Sequence, residues 1–227
     1  MTKPVEITWQ DEAFQLLPEK ALFWEKEKTL FISDPHFGKS AAFRKAGIPV
    51  TEKTTEDDIH KLSQIIHKTN TRRLIFLGDL IHARSSKTQV LRNLLFLWRE
   101  EFRSLDLHLI RGNHDHSAGD PWSELGIQCH DEPWSEFKWQ CRHYPLDHPQ
   151  IPYFAGHLHP GYSLRGKGRD QMRSACFQIN DHRIIFPAFG SFTGLKNVRP
   201  EKGDQLFLTN GEEIIALPAT HSFVRSK

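Results

Sequence analysis

Leu74-Ile75-Phe76-Leu77 restricts the fold more than any other stretch: four consecutive large apolar residues end abruptly on Gly78-Asp79. Such a run fits a strand covered on both faces, and ligand-binding groups in sheets of that kind gather at the carboxyl ends of the strands. Asp79 alone could equally be the N-cap of a following helix. The pattern recurs, however. Leu30-Phe31-Ile32-Ser33 delivers Asp34-Pro35-His36, Leu107-His108-Leu109-Ile110 leads through Arg111-Gly112 to Asn113-His114-Asp115, and Tyr153-Phe154-Ala155-Gly156 delivers His157-Leu158-His159. Carboxylate oxygen and imidazole nitrogen suit manganese, iron and zinc, and a carboxylate can bridge two such ions. Asp79 is the candidate bridge.

Between these runs the chain alternates. Residues 5 to 32 read as extended segments broken by turns. Lys39, Arg44 and Lys45 lie on a short helix or loop after His36. Thr54 and Thr55 before Glu56-Asp57-Asp58 predict a helix start, with Ile59, Leu62, Ile65 and Ile66 as its apolar face. A second helix is predicted from Ser85 or Ser86 to Phe102, with Val90, Leu91, Leu94, Leu95, Trp98 and Phe102 facing the sheet, before a strand from Leu105 to Ile110. Beyond Asp115 the pattern changes to short strands: 127–129, 137–142, 153–155, 176–179, 183–188, 205–209 and 213–217. Asn210-Gly211 predicts a hairpin turn between the last two. An α/β first half and a meandering β second half fit two packed sheets flanked by helices, with residues 1–227 as one domain.

Composition excludes several classes. The 30 basic residues against 28 acidic ones do not by themselves indicate nucleic acid. The three cysteines, Cys129, Cys141 and Cys176, have no paired spacing, which argues against a disulfide framework or structural zinc and fits a reducing cytoplasm. The polar amino terminus is unlike a signal peptide, and no apolar run approaches membrane-spanning length.

Asp34-x-His36, Gly78-Asp79, Gly112-Asn113-His114-Asp115 and Gly156-His157-x-His159, in that order, resemble the signature of the calcineurin-like metallophosphoesterases. The resemblance implies a four-layer αββα sandwich of two mixed sheets flanked by helices. It also implies two divalent metal ions: one held by Asp34, His36, Asp79 and His159, the other by Asp79, Asn113, His143 and His157. His143 fills the place of a histidine the family sets at a strand end, in preference to His148 in the turn Asp147-His148-Pro149. Two such ions clamp the attacking and leaving oxygens of an in-line phosphoryl displacement. His114, beside Asn113, is then left to protonate the leaving oxygen or stabilise charge, with Asp115 orienting it.

The second motif departs from that of the protein serine/threonine phosphatases. Asp79-Leu80-Ile81-His82-Ala83-Arg84, together with Asn113-His114-Asp115, is more similar to the DNA-repair nucleases of the superfamily. Longer segments, including Pro187-Ala188-Phe189-Gly190-Ser191-Phe192-Thr193-Gly194, are similar to the bacterial ligase-associated DNA-damage-response branch, PdeM. That branch implies a phosphodiesterase or endonuclease supported by Mn2+, with Fe or Zn as alternatives. It also implies a cytoplasmic setting and association with a DNA ligase, helicase and exonuclease. Cations follow the metal motifs, and Lys39, Arg44, Arg84, Arg165, Lys167 and Arg169 are, with His82, the expected substrate contacts. Two other functions compete: hydrolysis of a small nucleotide or cyclic nucleotide in a closed pocket, and a non-catalytic interaction scaffold.

Overall fold

The computed structural model describes residues 3–45, 47, 48, 50, 53–165 and 171–218. Its first sheet has seven strands that neighbour one another in chain order. Strands β1 (Val5–Trp9), β2 (Glu12–Leu17), β3 (Ala21–Trp24) and β4 (Thr29–Ile32) meander antiparallel. Strands β5 (Arg73–Phe76), β6 (Asp106–Ile110) and β7 (Gln128–His130) then add in parallel. The parallel part needs crossovers, and helices supply them. Helices α1 (Lys39–Lys45) and α2 (Lys53–Thr69) lie between β4 and β5, α3 (Gln89–Glu101) between β5 and β6, and α4 (Asn113–Ala118) between β6 and β7.

The second sheet is built from β8 (Gln140–Cys141), β9 (Tyr153–Ala155), β10 (Pro160–Arg165), β11 (Gln171–Ile179), β12 (Arg183–Ile185) and β13 (Lys196–Asn197), in the order β13-β10-β11-β12-β9-β8. Strand β14 (Gln205–Thr209) pairs with β11, and β15 (Ile214–Ala216) with β14. Both sheets are mixed and helices flank them, as expected. Beside the two large cores, the second sheet carries small clusters around Cys176, Val198, Leu206 and Leu208 and around Tyr153, Ala155 and Ile185.

The Leu74–Leu77 run is covered on both faces. Leu74 and Phe76 join the core under α2 and α3, while Ile75 and Leu77 join the core between the sheets. Each fully buried side chain of this size contributes about 1.5–3 kcal/mol, so the strand that presents Asp79 is firmly anchored. Trp9, Phe14, Trp24, Trp139 and Phe154 pack mainly edge to face between the sheets, and Trp9 Nε1 donates to the Asn180 carbonyl at 2.7 Å.

Local differences from expectation have simple causes. The second helix starts later, at Gln89, because Thr88 caps it by accepting from the Leu91 N–H at 3.2 Å; Arg84–Ser86 forms a separate 3-10 turn. Val90 is 46% exposed rather than facing the sheet, since Leu91, Leu95 and Trp98 define the buried face one residue away. The final hairpin spans residues 210–213 rather than a two-residue turn, with Asn210 Oδ1 accepting from the Glu212 and Glu213 N–H groups.

Candidate metal centre

The loops after β4 and β5 continue the ladder of their strands. Leu77 N donates to the Ile32 carbonyl at 2.8 Å, Asp34 N to Gly78 at 3.2 Å, His36 N to Asp79 at 3.0 Å and Phe37 N to Leu80 at 2.9 Å. This zipper holds both loops in a conformation their residues do not favour. Asp34, His36, Asp79, His157 and His159 have φ of 50°, 47°, 54°, 67° and 46°. Left-handed backbone costs a non-glycine residue about 1–2 kcal/mol, and such strain concentrates where surrounding structure over-determines it. Here it falls on five of the seven expected ligands.

Gly78 shows how little room is left. Its φ is 91°, and a Cβ there would overlap the His143 ring. Gly78→Ala therefore combines backbone strain of about 1–3 kcal/mol with displacement of His143. A fall in melting temperature of several degrees is expected by calorimetry, with weaker binding of a divalent cation on the His143 side.

All seven expected ligands converge on one cluster. On one side of Asp79, its Oδ2 lies 3.7 Å from His36 Nε2, His36 Nε2 lies 3.3 Å from His159 Nε2, and His159 Nε2 lies 3.4 Å from Asp34 Oδ1. On the other side, Asp79 Oδ1 lies 3.5 Å from His143 Nε2, which is 3.1 Å from both Asn113 Oδ1 and His157 Nδ1. Ligand atoms 2.0–2.2 Å from a shared cation stand about 3–3.6 Å apart in tetrahedral or octahedral sites. The donor set and its spacing therefore fit a pair of divalent ions with one Asp79 oxygen toward each. Asp34 Oδ1 supports this independently, being a buried acceptor with no hydrogen-bond donor, which costs about 1–3 kcal/mol unless a cation satisfies it.

Protonation also favours ligation. Burial pushes His36 down to about 2, so its imidazole is neutral, the form that binds metal. Burial alone would raise Asp34, but the His159 and His143 imidazoles and the Ser33 hydroxyl bring it down to about 2. Asp79 is raised by burial and by the nearby Asp34 charge, a carboxylate pair short of positive charge. His143, fully buried, sits with Nδ1 3.0 Å from the Leu77 carbonyl, which places the proton on Nδ1 and leaves Nε2 free as a donor atom.

Sequence reading missed this Leu77 carbonyl, because backbone acceptors carry no residue signature. It also missed Glu132, whose Oε2 accepts from the His143 and Tyr144 N–H groups at 2.7 and 3.0 Å, and Tyr144, whose ring lies 4.6 Å from that of His157. The role expected of Asp115 is corrected. Its carboxylate does not meet the His114 ring; it accepts from the N–H groups of Gly112, Asp79 and Leu80 at 2.9, 2.7 and 3.0 Å. Asp115 thus ties two motif loops together, and burial pushes it up to about 6. The His114 ring is held instead by the His82 carbonyl at Nδ1, leaving Nε2 3.9 Å from Asp79 Oδ2. His148 is exposed in its turn, away from the cluster.

The expected substrate contacts divide. His82 stacks on His114 with ring centroids 4.6 Å apart and approaches His36 Nδ1 at 3.3 Å. Lys39 is half-buried close by, and its charge lowers the proton affinity of His36 and His82. Arg84 is exposed beyond them, while Arg44 donates to the Val50 carbonyl at 3.0 Å. Arg165 ends β10 with its side chain outside the described set, and Lys167 and Arg169 lie outside the described residues. Among the described residues no helix is long and apolar enough to cross a membrane.

Comparison with solved structures finds Pseudomonas putida nuclease MPE at 33% identity and a TM-score of 0.84, covering 95% of this chain and 100% of that one. Yfce, a phosphoesterase from E. coli, matches at 15% identity and a TM-score of 0.37, covering 83% of this chain and 96% of that one; at that level it adds nothing to the assignment. No curated protein matches at a significant level. Residues 27–203 match the family profile described as Calcineurin-like phosphoesterase. With the profile covering most of the sequence and its motifs gathered in one cluster, the chain belongs to the calcineurin-like phosphoesterase family.

Proposed function

We propose that this chain is a two-cation phosphodiesterase that cleaves nucleic acid, with DNA as substrate and manganese as the working metal, acting as a single domain. The observation that carries the reading is the placement of Asp79, its two oxygens facing separate sets of donors 3.5 to 3.7 Å away. Support for nucleic acid comes from the nuclease named above, similar along nearly its whole length, and from Lys39 beside the cluster. Asp34, His36, Asp79 and His159 would hold one ion, and Asp79, Asn113, His143 and His157 the other.

A pair of divalent cations, when bound, neutralises phosphate charge and lowers the pKa of an attacking water. The remaining work falls to the chain. The zipped loops fix the donor atoms in advance, which limits reorganisation during reaction. His114 presents Nε2 toward the cluster while its Nδ1–H donates to the His82 carbonyl, so a proton on Nε2 is the one it can give to a departing oxygen. A role in a DNA-repair pathway beside a ligase, helicase and exonuclease belongs to the same proposal, on the strength of the motif resemblance.

The test is turnover of single-stranded, duplex and flapped DNA, cyclic nucleotides and phosphomonoesters after chelation and metal add-back. Chelation is expected to abolish cleavage of the single-stranded or flapped DNA, and manganese to restore it. Turnover confined to cyclic nucleotides or monoesters would assign the site to a small substrate.

A further inference from the structure

The segment Pro187–Gly194 supplies no expected ligand, yet it is fastened to the first metal motif. Phe189 N donates to the Ser33 carbonyl at 2.7 Å and Gly190 N to the Asp34 carbonyl at 3.3 Å. From the other side, Asp58 accepts from Ser191 N at 2.8 Å and Ser191 Oγ at 2.6 Å, while Thr193 Oγ1 donates to the Gly190 carbonyl at 2.7 Å. On this tied turn stands Phe192, 36% exposed. Its ring meets Phe43 of α1 edge to face, with centroids 5.2 Å apart, and neither ring belongs to a described hydrophobic cluster.

Both rings stand on segments tied to the first metal motif. Phe192 is two residues beyond Gly190, no more than about 7 Å of chain. Lys39, whose N–H donates to the His36 carbonyl at 3.2 Å, carries Nζ 5.9 Å from the Phe43 centroid. An exposed aromatic on a turn with so many ties brings its apolar face to solvent at little cost in lost freedom. A neighbouring ammonium group adds a phosphate contact.

We infer that the Phe43–Phe192 pair is a stacking shelf for an unpaired base next to the scissile phosphate, with Lys39 on the adjoining phosphate. This rests on the phosphodiesterase reading above and narrows its substrate to strands with accessible base faces, since bases within a duplex are already stacked. Aromatic stacking on one base is worth about ten-fold in affinity or more and tolerates any base.

The test uses the full chain carrying His114→Ala, to keep the strand intact, loaded with manganese. Anisotropy reads binding of labelled oligothymidylate and of the same backbone lacking its bases. Adding Phe192→Ala is expected to raise Kd for oligothymidylate about ten-fold while leaving the base-free strand unaffected, and Phe192→Trp to keep the tighter binding. Equal affinity of the two proteins for oligothymidylate overturns the shelf and leaves the phosphodiesterase reading standing. An equal loss on both strands also overturns it, because the turn would then be acting on the backbone. Failure of the parent to bind either strand overturns the nucleic-acid reading and the shelf with it.

Discussion

Asp79→Ala is expected to remove both cations and lower turnover by more than about 10³-fold, because a two-ion mechanism needs both ions and this carboxylate faces both sets of donors. Metal analysis of the dialysed protein is expected to fall from two manganese ions per chain to fewer than one. A second readout separates lost ligation from misfolding. Asp79 is buried, and its proton affinity is raised by burial and by Asp34. With a folded pKa above the unfolded one, its charging destabilises the ion-free fold as pH rises past the ordinary carboxylate range. At neutral pH the ion-free variant is therefore expected to melt no lower than the ion-free parent, even though His114 N loses the 2.9 Å acceptor on Asp79 Oδ1. The parent's gain in melting temperature on adding manganese is expected to vanish in the variant. Two tightly bound ions in Asp79→Ala would show that the carboxylate bridges nothing.

Much of the centre was legible because its ligands sit at the ends of strands buried on both faces. Leu74–Leu77 announces such a strand by apolar length alone, and the residue after its terminal glycine must emerge at the sheet's carboxyl edge. His143 was placed by the family resemblance at the end of the strand read over 137–142, although that strand is shorter than the reading implies. Phe137 packs against Trp24, Trp134 and Trp139 instead of joining the ladder, which begins at Gln140. The end of the strand, where His143 follows, was unaffected.

What sequence could not convey is mostly backbone. Nothing in Asp34, His36 or Asp79 predicts a left-handed φ, since the zipper that imposes it joins loops more than forty residues apart. Asn113–Ala118 forms a helical turn rather than a simple strand end, because Asp115 accepts from Gly112 N and closes its first turn. This same bond takes Asp115 away from the His114 ring. Motif spacing puts the two residues side by side in the chain, but adjacent residues on a helix do not face one another.

His114→Ala should separate proton transfer from ion binding. The ring is outside both proposed donor sets, with Nε2 3.9 Å from Asp79 Oδ2 and its partner at Nδ1 a backbone carbonyl, so two manganese ions are expected to remain. Cleavage of DNA, whose departing alkoxide needs a proton, is expected to fall by about 10²–10⁴-fold. A p-nitrophenyl diester offers a leaving group stable without that proton, so there the loss should be far smaller. The two substrates together distinguish a proton donor from a group that merely stabilises phosphate charge, because charge stabilisation would be lost equally from both. Equal losses on the two substrates would assign the proton to another group and leave His114 with an electrostatic part only.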